Sequence, residues 1–405
     1  QRHIGVFGGV FRRTLDRDTL GLSYLVGEGE TLLFVLFPVG FPDAPPLGLE
    51  VYRIEVARRE LAAQITAFRG LVLANLGLDD AAYRSLADAL SSRLLAPASR
   101  SLARARRVAI SPDGPLALLP FAALSVPAPL ANPQAPAYWV SRWPHYTIAS
   151  ATLAEELRRR ATDVAKAPLV AFGDPRYPTA GTAGSASNAT PPESFATRTW
   201  LGTEARSRLA LPQLPASARE VENIGRQFAP AILRLGAAAS EADFLLTAPQ
   251  GRRVHFAGHA LLDSRFPLES ALALSPPSTP SRPGDDGLLQ AWEIFERLRL
   301  SADLVALSAC DTALGQEAGG EGLLGLTRAF HFAGARTVLA SLWSVLDRSS
   351  TDLMTRFYGH LAAGEATDRA LAQAQREMLE GPHAAPIHWA AFQLDGDPRA
   401  AENSP

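Results

Sequence analysis

Apolar positions recur along the chain with two periods, and their alternation outlines an α/β architecture. Residues 20 to 37 hold two apolar runs joined by Gly27-Glu-Gly-Glu30, a turn composition that predicts a β-hairpin. Residues 49 to 56 alternate as a further strand, and 58 to 73 and 80 to 95 carry helical periodicity, with Asp79 or Asp80 placed to cap the second helix. Strand, turn and strand are expected at Val108–Ile110, Asp113-Gly114 and Leu116–Phe121. A Pro/Ala-rich loop to about residue 137, a strand over 145 to 150 and a helix over 151 to 164 follow.

The second half opens with Leu169-Val-Ala-Phe172, a buried strand running into Gly173-Asp174-Pro175. Residues 177 to 199 are rich in Thr, Ala, Gly, Ser and Pro and show no period, which predicts a mobile loop. A helix over 214 to 227 with Ser217 near its start, a strand over 232 to 235 and a short helix over 241 to 246 come next. Strands are then expected at Val254–Phe256 and 268 to 274, a loop at 275 to 287 and a helix near 289 to 299. Leu304–Leu307 reads as a strand buried on both faces; Leu323, Leu326 and Phe330 have helical spacing, and Thr337–Leu342 is a second buried strand. Helices at 349 to 363 and 366 to 379 and a strand at Trp389–Leu394 close the chain. The division expected is a first domain over 1–164 and a second over 165–405. No repeat of 20 to 50 residues is present within the chain.

At 405 residues two domains are the natural expectation, and 47% hydrophobic with 20% charged residues is ordinary for a globular protein. A net charge of −2 lacks the basic excess of a sequence-independent phosphate binder, so no nucleic-acid partner is expected. No apolar run approaches the roughly 18 residues that span a bilayer, so no membrane association is expected. One cysteine excludes an intrachain disulfide, and the cytoplasm is the expected compartment. Gln1-Arg-His-Ile4 contains neither Met nor a signal-like apolar stretch, so the chain is expected to begin inside a longer protein.

The candidate chemistry lies at two strand ends. The strand from Leu304 runs to Cys310, and the strand from Val254 runs to Gly258-His259, 51 residues earlier. A thiol becomes a nucleophile as thiolate, which a neighbouring imidazole stabilises, and the spacing is that of caspases. A solitary Cys is often an inert core residue, so the flanking residues and the strand-end position carry the assignment. His255 is the rival imidazole. On a helix, 255 and 259 would share a face like zinc ligands, but Phe256 stands where a His-Glu-x-x-His site needs Glu, and the segment has strand character. No metal is expected. Gly320-Glu-Gly-Leu-Leu-Gly325 matches a dinucleotide fingerprint, yet it falls well after the strand instead of in a tight strand–helix turn. No cofactor is expected.

Six motifs in one order resemble the CHAT family, caspase-like peptidases that belong with separases and caspases and are often attached to TPR repeats. They are His255-Phe-Ala-Gly-His259, Ser308-Ala-Cys-Asp-Thr-Ala-Leu-Gly315, Gly320-Glu-Gly-Leu-Leu-Gly-Leu-Thr-Arg-Ala-Phe330, Ala333-Gly-Ala-Arg336, Ser341-Leu-Trp-Ser-Val345 and His388-Trp-Ala-Ala-Phe392. The resemblance implies a caspase-like three-layer sandwich around a mostly parallel sheet over 165–405, with an N-terminal pseudo-caspase α/β domain over 1–164. It implies a cysteine endopeptidase with Cys310 as nucleophile and His259 as general acid/base. Backbone N–H groups of Cys310 and of Gly258 and Ala260 would bind the oxyanion. The family usually has Gly directly after the His, and Ala260 would be strained there at positive φ. By position, Asp174, Ser308 and Asp311 are candidate substrate-pocket residues, and an acidic pocket would select Lys or Arg before the cut. Asp174-Pro175 is also a plausible turn pair, and Asp311 a plausible backbone hydrogen-bond acceptor. A protein substrate is implied, with an activating partner or a TPR or sensor domain outside this chain. The loops at 177–199, 275–287 and 313–321 are the segments expected to move. A cut in the first of them and a plain surface insertion are both open readings. Two other classes stand beside the peptidase: a caspase-like scaffold with an idle dyad, and a thiol amidohydrolase with a closed pocket.

Overall fold

The first apolar runs fold as the expected hairpin, β1 (Thr19–Val26) antiparallel to β2 (Thr31–Leu36), and β3 (Leu49–Ile54) extends it antiparallel to β2. β4 (Arg107–Ser111) lies parallel to the other side of β1, and β5 (His145–Thr147) lies parallel to β4. This computed structural model describes residues 12–132, 137–160, 166–177, 211–277, 285–311, 321–345 and 347–398, except the side chains of Cys310, Asp311, Glu321 and Asp347. Helices α1 (Arg58–Leu73) and α2 (Ala81–Leu94) bury Phe68 and Tyr83 against each other, with ring centroids 5.1 Å apart. Asp80 caps α2 by accepting from the N–H groups of Ala82 and Tyr83. Helix α3 (Ala151–Arg159) is capped by Ser150. The strand expected at Leu116–Phe121 is instead a pair of 3-10 turns, Gly114–Leu118 and Phe121–Ala123. Pro115 and Pro120 lack the N–H groups a ladder needs, and that outweighs the apolar run.

The chain divides into two compact units: residues up to Arg160 with those from Gly364 onward, and the segment between them. The second unit contains β6 (Leu169–Gly173), β7 (Ala231–Leu235), β8 (Arg253–Leu261), β9 (Ala271–Ala273), β10 (Leu288–Gln290), β11 (Ala302–Asp311) and β12 (Ala335–Ser341). Parallel pairing gives the order β7-β6-β8-β11-β12. The short antiparallel pair β9–β10 flanks the carboxyl end of β8. Among the described residues its helices are α4 (Pro215–Gln227), α5 (Glu241–Thr247), α6 (Ala291–Arg297), α7 (Glu321–Ala333) and α8 (Asp347–Ala362).

Strand alternation sorts the side chains into two faces. Val254, Phe256 and Ala260 of β8 and Val305, Leu307 and Ala309 of β11 form one buried cluster with Phe244 of α5, Ile294 of α6 and Phe330 of α7. The intervening residues His255 and Ser308 bond to α4 and α8 on the other face. The second unit is therefore a three-layer α/β sandwich.

The last elements, α9 (Thr367–Leu379) and β13 (Phe392–Gly396), belong to the first unit, where β13 pairs parallel with β5. Arg376 Nε donates to Val140 O at 2.8 Å and Thr147 Oγ1 to Leu394 O at 3.0 Å. The compact second unit thus ends near Ala363, whereas the sequence reading ran it to 405. A chain that returns to its first sheet carries no compositional mark of doing so. Arg107, on β4, reaches Asp368 on α9 through two hydrogen bonds of 2.7 and 2.8 Å and Asp16 through one of 2.8 Å. No helix among the described residues is long and apolar enough to cross a membrane.

Candidate active site

β8 is enclosed by parallel neighbours, β6 and β11, so its carboxyl end is where a parallel α/β sheet opens a crevice. In the β8–β11 register His259 stands opposite Cys310, and Ala260 opposite Asp311. Parallel neighbours run about 4.8 Å apart, so the backbones of the predicted base and nucleophile are adjacent. The side chains of Cys310 and Asp311, and residues 178–210, 278–284 and 312–320 of the three expected loops, lie outside the described residues.

His259 is 2% exposed and held from three directions. Its Nε2 lies 2.8 Å from Pro212 O, its backbone N–H donates to Tyr177 Oη at 3.3 Å, and its ring centroid is 5.1 Å from that of Tyr177. Facing a carbonyl, Nε2 carries a proton, and the neutral ring then offers Nδ1 as its acceptor nitrogen. Tyr177 is itself anchored, donating its hydroxyl to Ala273 O at 3.2 Å. Read from sequence as the first residue of a mobile loop, Tyr177 is buried beside Leu261, Ala271, Ala273 and Leu288.

Asp174 directly follows β6 with φ of 49°, a conformation that Asp tolerates better than most side chains. Its N–H donates to Ser217 Oγ at 2.9 Å, and Ser217 Oγ donates to Leu214 O at 2.6 Å, which pins the strand end to the start of α4. Asp174 thus leaves β6 in left-handed backbone, at the carboxyl end of the same sheet as His259. Ser308 is buried, its hydroxyl 2.8 Å from Ser350 Oγ on α8.

Ala260 remains within β8, paired with Asp311 on one side and Leu272 of β9 on the other. Non-glycine residues with positive φ among those described are Asp43, Asn75 and Asp174, so Ala260 carries no left-handed strain. Gly258 has a packing reason of its own. A Cβ there would lie 2.5 Å from the Phe256 ring, which is fully buried. We expect Gly258→Ala to lower stability by about 1–3 kcal/mol through overpacking, read as a shift of the chemical-denaturation midpoint at unchanged m.

His255, the rival imidazole, is fully buried, with Nε2 3.0 Å from Glu220 Oε1 and Nδ1 3.1 Å from Tyr358 Oη. It sits inside the α4–β8–α8 layer, away from the strand ends. Among the described residues there is no group of three or more His, Cys, Asp or Glu side chains able to hold a metal. Sequence reasoning missed Pro212, Tyr177, Glu220, Tyr358 and Ser350. None has a motif of its own, and only Ser217, noted near a helix start, hinted at how α4 is held.

Residues 84–397 match the CHAT domain family. Tetratricopeptide repeat protein 28 of Mus musculus is 37% identical over 110 residues, which is 27% of this chain and 4% of that protein. The protein of the same name from Homo sapiens is 34% identical over 110 residues, with the same coverage. The chain thus spans a small fraction of the curated relatives it matches. Among solved structures, a chain of the Saccharomyces cerevisiae separase–securin complex at 3.0 Å superposes with a TM-score of 0.54 at 8% identity, covering 98% of this chain and 31% of that one. At that identity the likeness is one of fold.

Proposed function

Since the chain belongs to the CHAT-domain family, we propose that it is a cysteine endopeptidase acting on a protein substrate, with Cys310 as nucleophile and His259 as general acid/base. The observation that supports this reading best is the register of β8 and β11, which sets His259 opposite Cys310 at the carboxyl ends of neighbouring parallel strands. In the proposed reaction Nδ1 of His259 takes the thiol proton, and Pro212 O holds Nε2–H and stabilises the imidazolium. The thiolate attacks the scissile carbonyl carbon. Collapse of the tetrahedral intermediate breaks the C–N bond as His259 protonates the leaving amine, and water then hydrolyses the thioester.

Backbone N–H groups of Cys310 and of Gly258 or Ala260 are the proposed oxyanion donors, each supporting the transition state by about 3 kcal/mol. Asp174 and Asp311 are proposed to make the pocket acidic and select Lys or Arg before the cut. Ser308, already bonded to Ser350, is proposed to shape the pocket's floor. Both curated relatives are named for tetratricopeptide repeats, which fits control by a repeat or sensor domain, or by a separate partner.

A Lys- or Arg-terminated acyloxymethyl ketone peptide tests the reading, because the chain has one cysteine to label. Labelling of wild type that is lost in Cys310→Ala and in His259→Ala is the expected result. Absence of labelling, with the proposed repeat domain or partner supplied, would leave a caspase-like scaffold as the better account. The enclosure of His259, 2% exposed, is the feature that favours that second reading.

A further inference from the structure

Beneath His259, on the same face of β8, lies a polar trio in an otherwise apolar layer. His255 and Tyr358 are fully buried and Glu220 is 2% exposed. Glu220 Oε1 is 3.0 Å from His255 Nε2, and Tyr358 Oη is 3.1 Å from His255 Nδ1. Burial pushes the Tyr358 hydroxyl pKa well up, so the group stays O–H. Tyr358 O–H then donates to Nδ1, and Nε2 faces the Glu220 carboxylate at ion-pair distance.

Each member comes from a different element, and those elements also make the contacts at the candidate site. Glu220 lies on α4, whose first turn carries Ser217, the acceptor for Asp174 N–H, and which is preceded by Pro212, the carbonyl facing His259 Nε2. Tyr358 lies on α8, which carries Ser350, the partner of Ser308 two positions before Cys310. His255 lies on β8 with His259 itself. α4 and α8 are tied directly as well, with Gln227 Nε2 donating to Thr355 O at 3.1 Å.

We propose that Glu220, His255 and Tyr358 are positioning residues, a buried clamp that sets α4 and α8 on β8 and so holds His259 in register for Cys310. The proposal rests on the cysteine-peptidase reading above. Well-packed apolar side chains in place of a buried ionic group are often neutral or stabilising, so stability alone does not account for the trio. A directional hydrogen bond and a close carboxylate–imidazole contact in a dry layer do what apolar packing cannot: a slip of either helix leaves a buried polar group unpaired. The carbonyl of Pro212 is placed by α4, so it moves with any such slip.

The test uses the full chain and two readouts. One is turnover of a Lys- or Arg-containing peptide. The other is the pH profile of iodoacetamide alkylation of the single cysteine. Wild type is expected to alkylate with a midpoint below the roughly 8.5 of a free thiol, and His259→Ala to return it there. Identical wild-type and His259→Ala profiles overturn the dyad, and the clamp with it.

Given that difference, the triple variant Glu220→Leu/His255→Leu/Tyr358→Phe is expected to melt at or above the wild-type temperature. Its kcat is expected to fall about 10- to 100-fold, as for other residues that orient a reactive imidazole, with KM little changed and the alkylation midpoint moved toward that of His259→Ala. Wild-type kcat and an unmoved midpoint in that folded variant overturn the clamp while leaving the dyad standing. Glu220→Gln, which keeps shape and loses charge, reads the same two quantities should the triple variant not fold. A shift in the same direction supports the clamp, and unchanged values overturn it.

Discussion

His259→Ala is expected to lower kcat/KM on a Lys- or Arg-containing fluorogenic peptide by about 10²- to 10⁴-fold, the range for losing a positioned general acid/base. No second imidazole replaces it. His255 is the nearest in sequence, four residues back along β8, or about 13 Å of strand, and is held by Glu220 and Tyr358 within the helix layer. Cys310→Ala is expected to fall at least as far, since the chain holds no other thiol. The combined variant is expected to be little worse than either alone, because base and nucleophile act as one unit. Wild-type turnover in His259→Ala, in a preparation whose activity is abolished by Cys310→Ala, would sink the proposed role of the imidazole.

The largest expected loss of stability lies within the first unit. Asp368→Ala is expected to destabilise the first unit by about 3–5 kcal/mol, the cost of leaving a buried charge uncompensated. Arg107 and Asp368 have side chains only 5% and 0% exposed, and their bidentate geometry is the strong form of this pair. Burial alone would lower the Arg107 pKa, and the charge of Asp368 overrides it and raises it instead. At roughly 2–4 °C per kcal/mol for a unit of this size, the melting temperature should fall by about 6–20 °C. Asp16 bonds the same guanidinium, but its side chain is 31% exposed, so Asp16→Ala is expected to cost at most about 1 kcal/mol. Calorimetry of the three proteins checks both figures, and equal losses from the two aspartates would contradict the burial argument.

Much of the fold was legible because its strongest signals are local. Two apolar runs around Gly27-Glu-Gly-Glu30 made the β1–β2 hairpin, and Asp80 capped the helix that its position announced. The buried strands that carry His259 and Cys310 were visible as apolar runs, since both faces of β8 and β11 are covered. Prediction failed where an apolar run was overruled by backbone chemistry, as at Pro115 and Pro120, or where the chain changed units without changing composition, as after Ala363.

By itself the sequence determined which residue types are available for chemistry: one thiol, eight imidazoles of which two stand four positions apart, and Ala260 directly after the second of that pair. It also determined the strands that carry them, because periodicity is written into neighbouring residues. Tertiary structure alone decided which imidazole faces the Cys310 backbone at the sheet edge and which is locked between two helices. It also supplied Pro212 and Tyr177 to His259 and Glu220 and Tyr358 to His255, from segments 35 to 103 residues away. A side chain's partner across such a distance is chosen by strand register and helix packing, and neither leaves a trace in the spacing of the residues it joins.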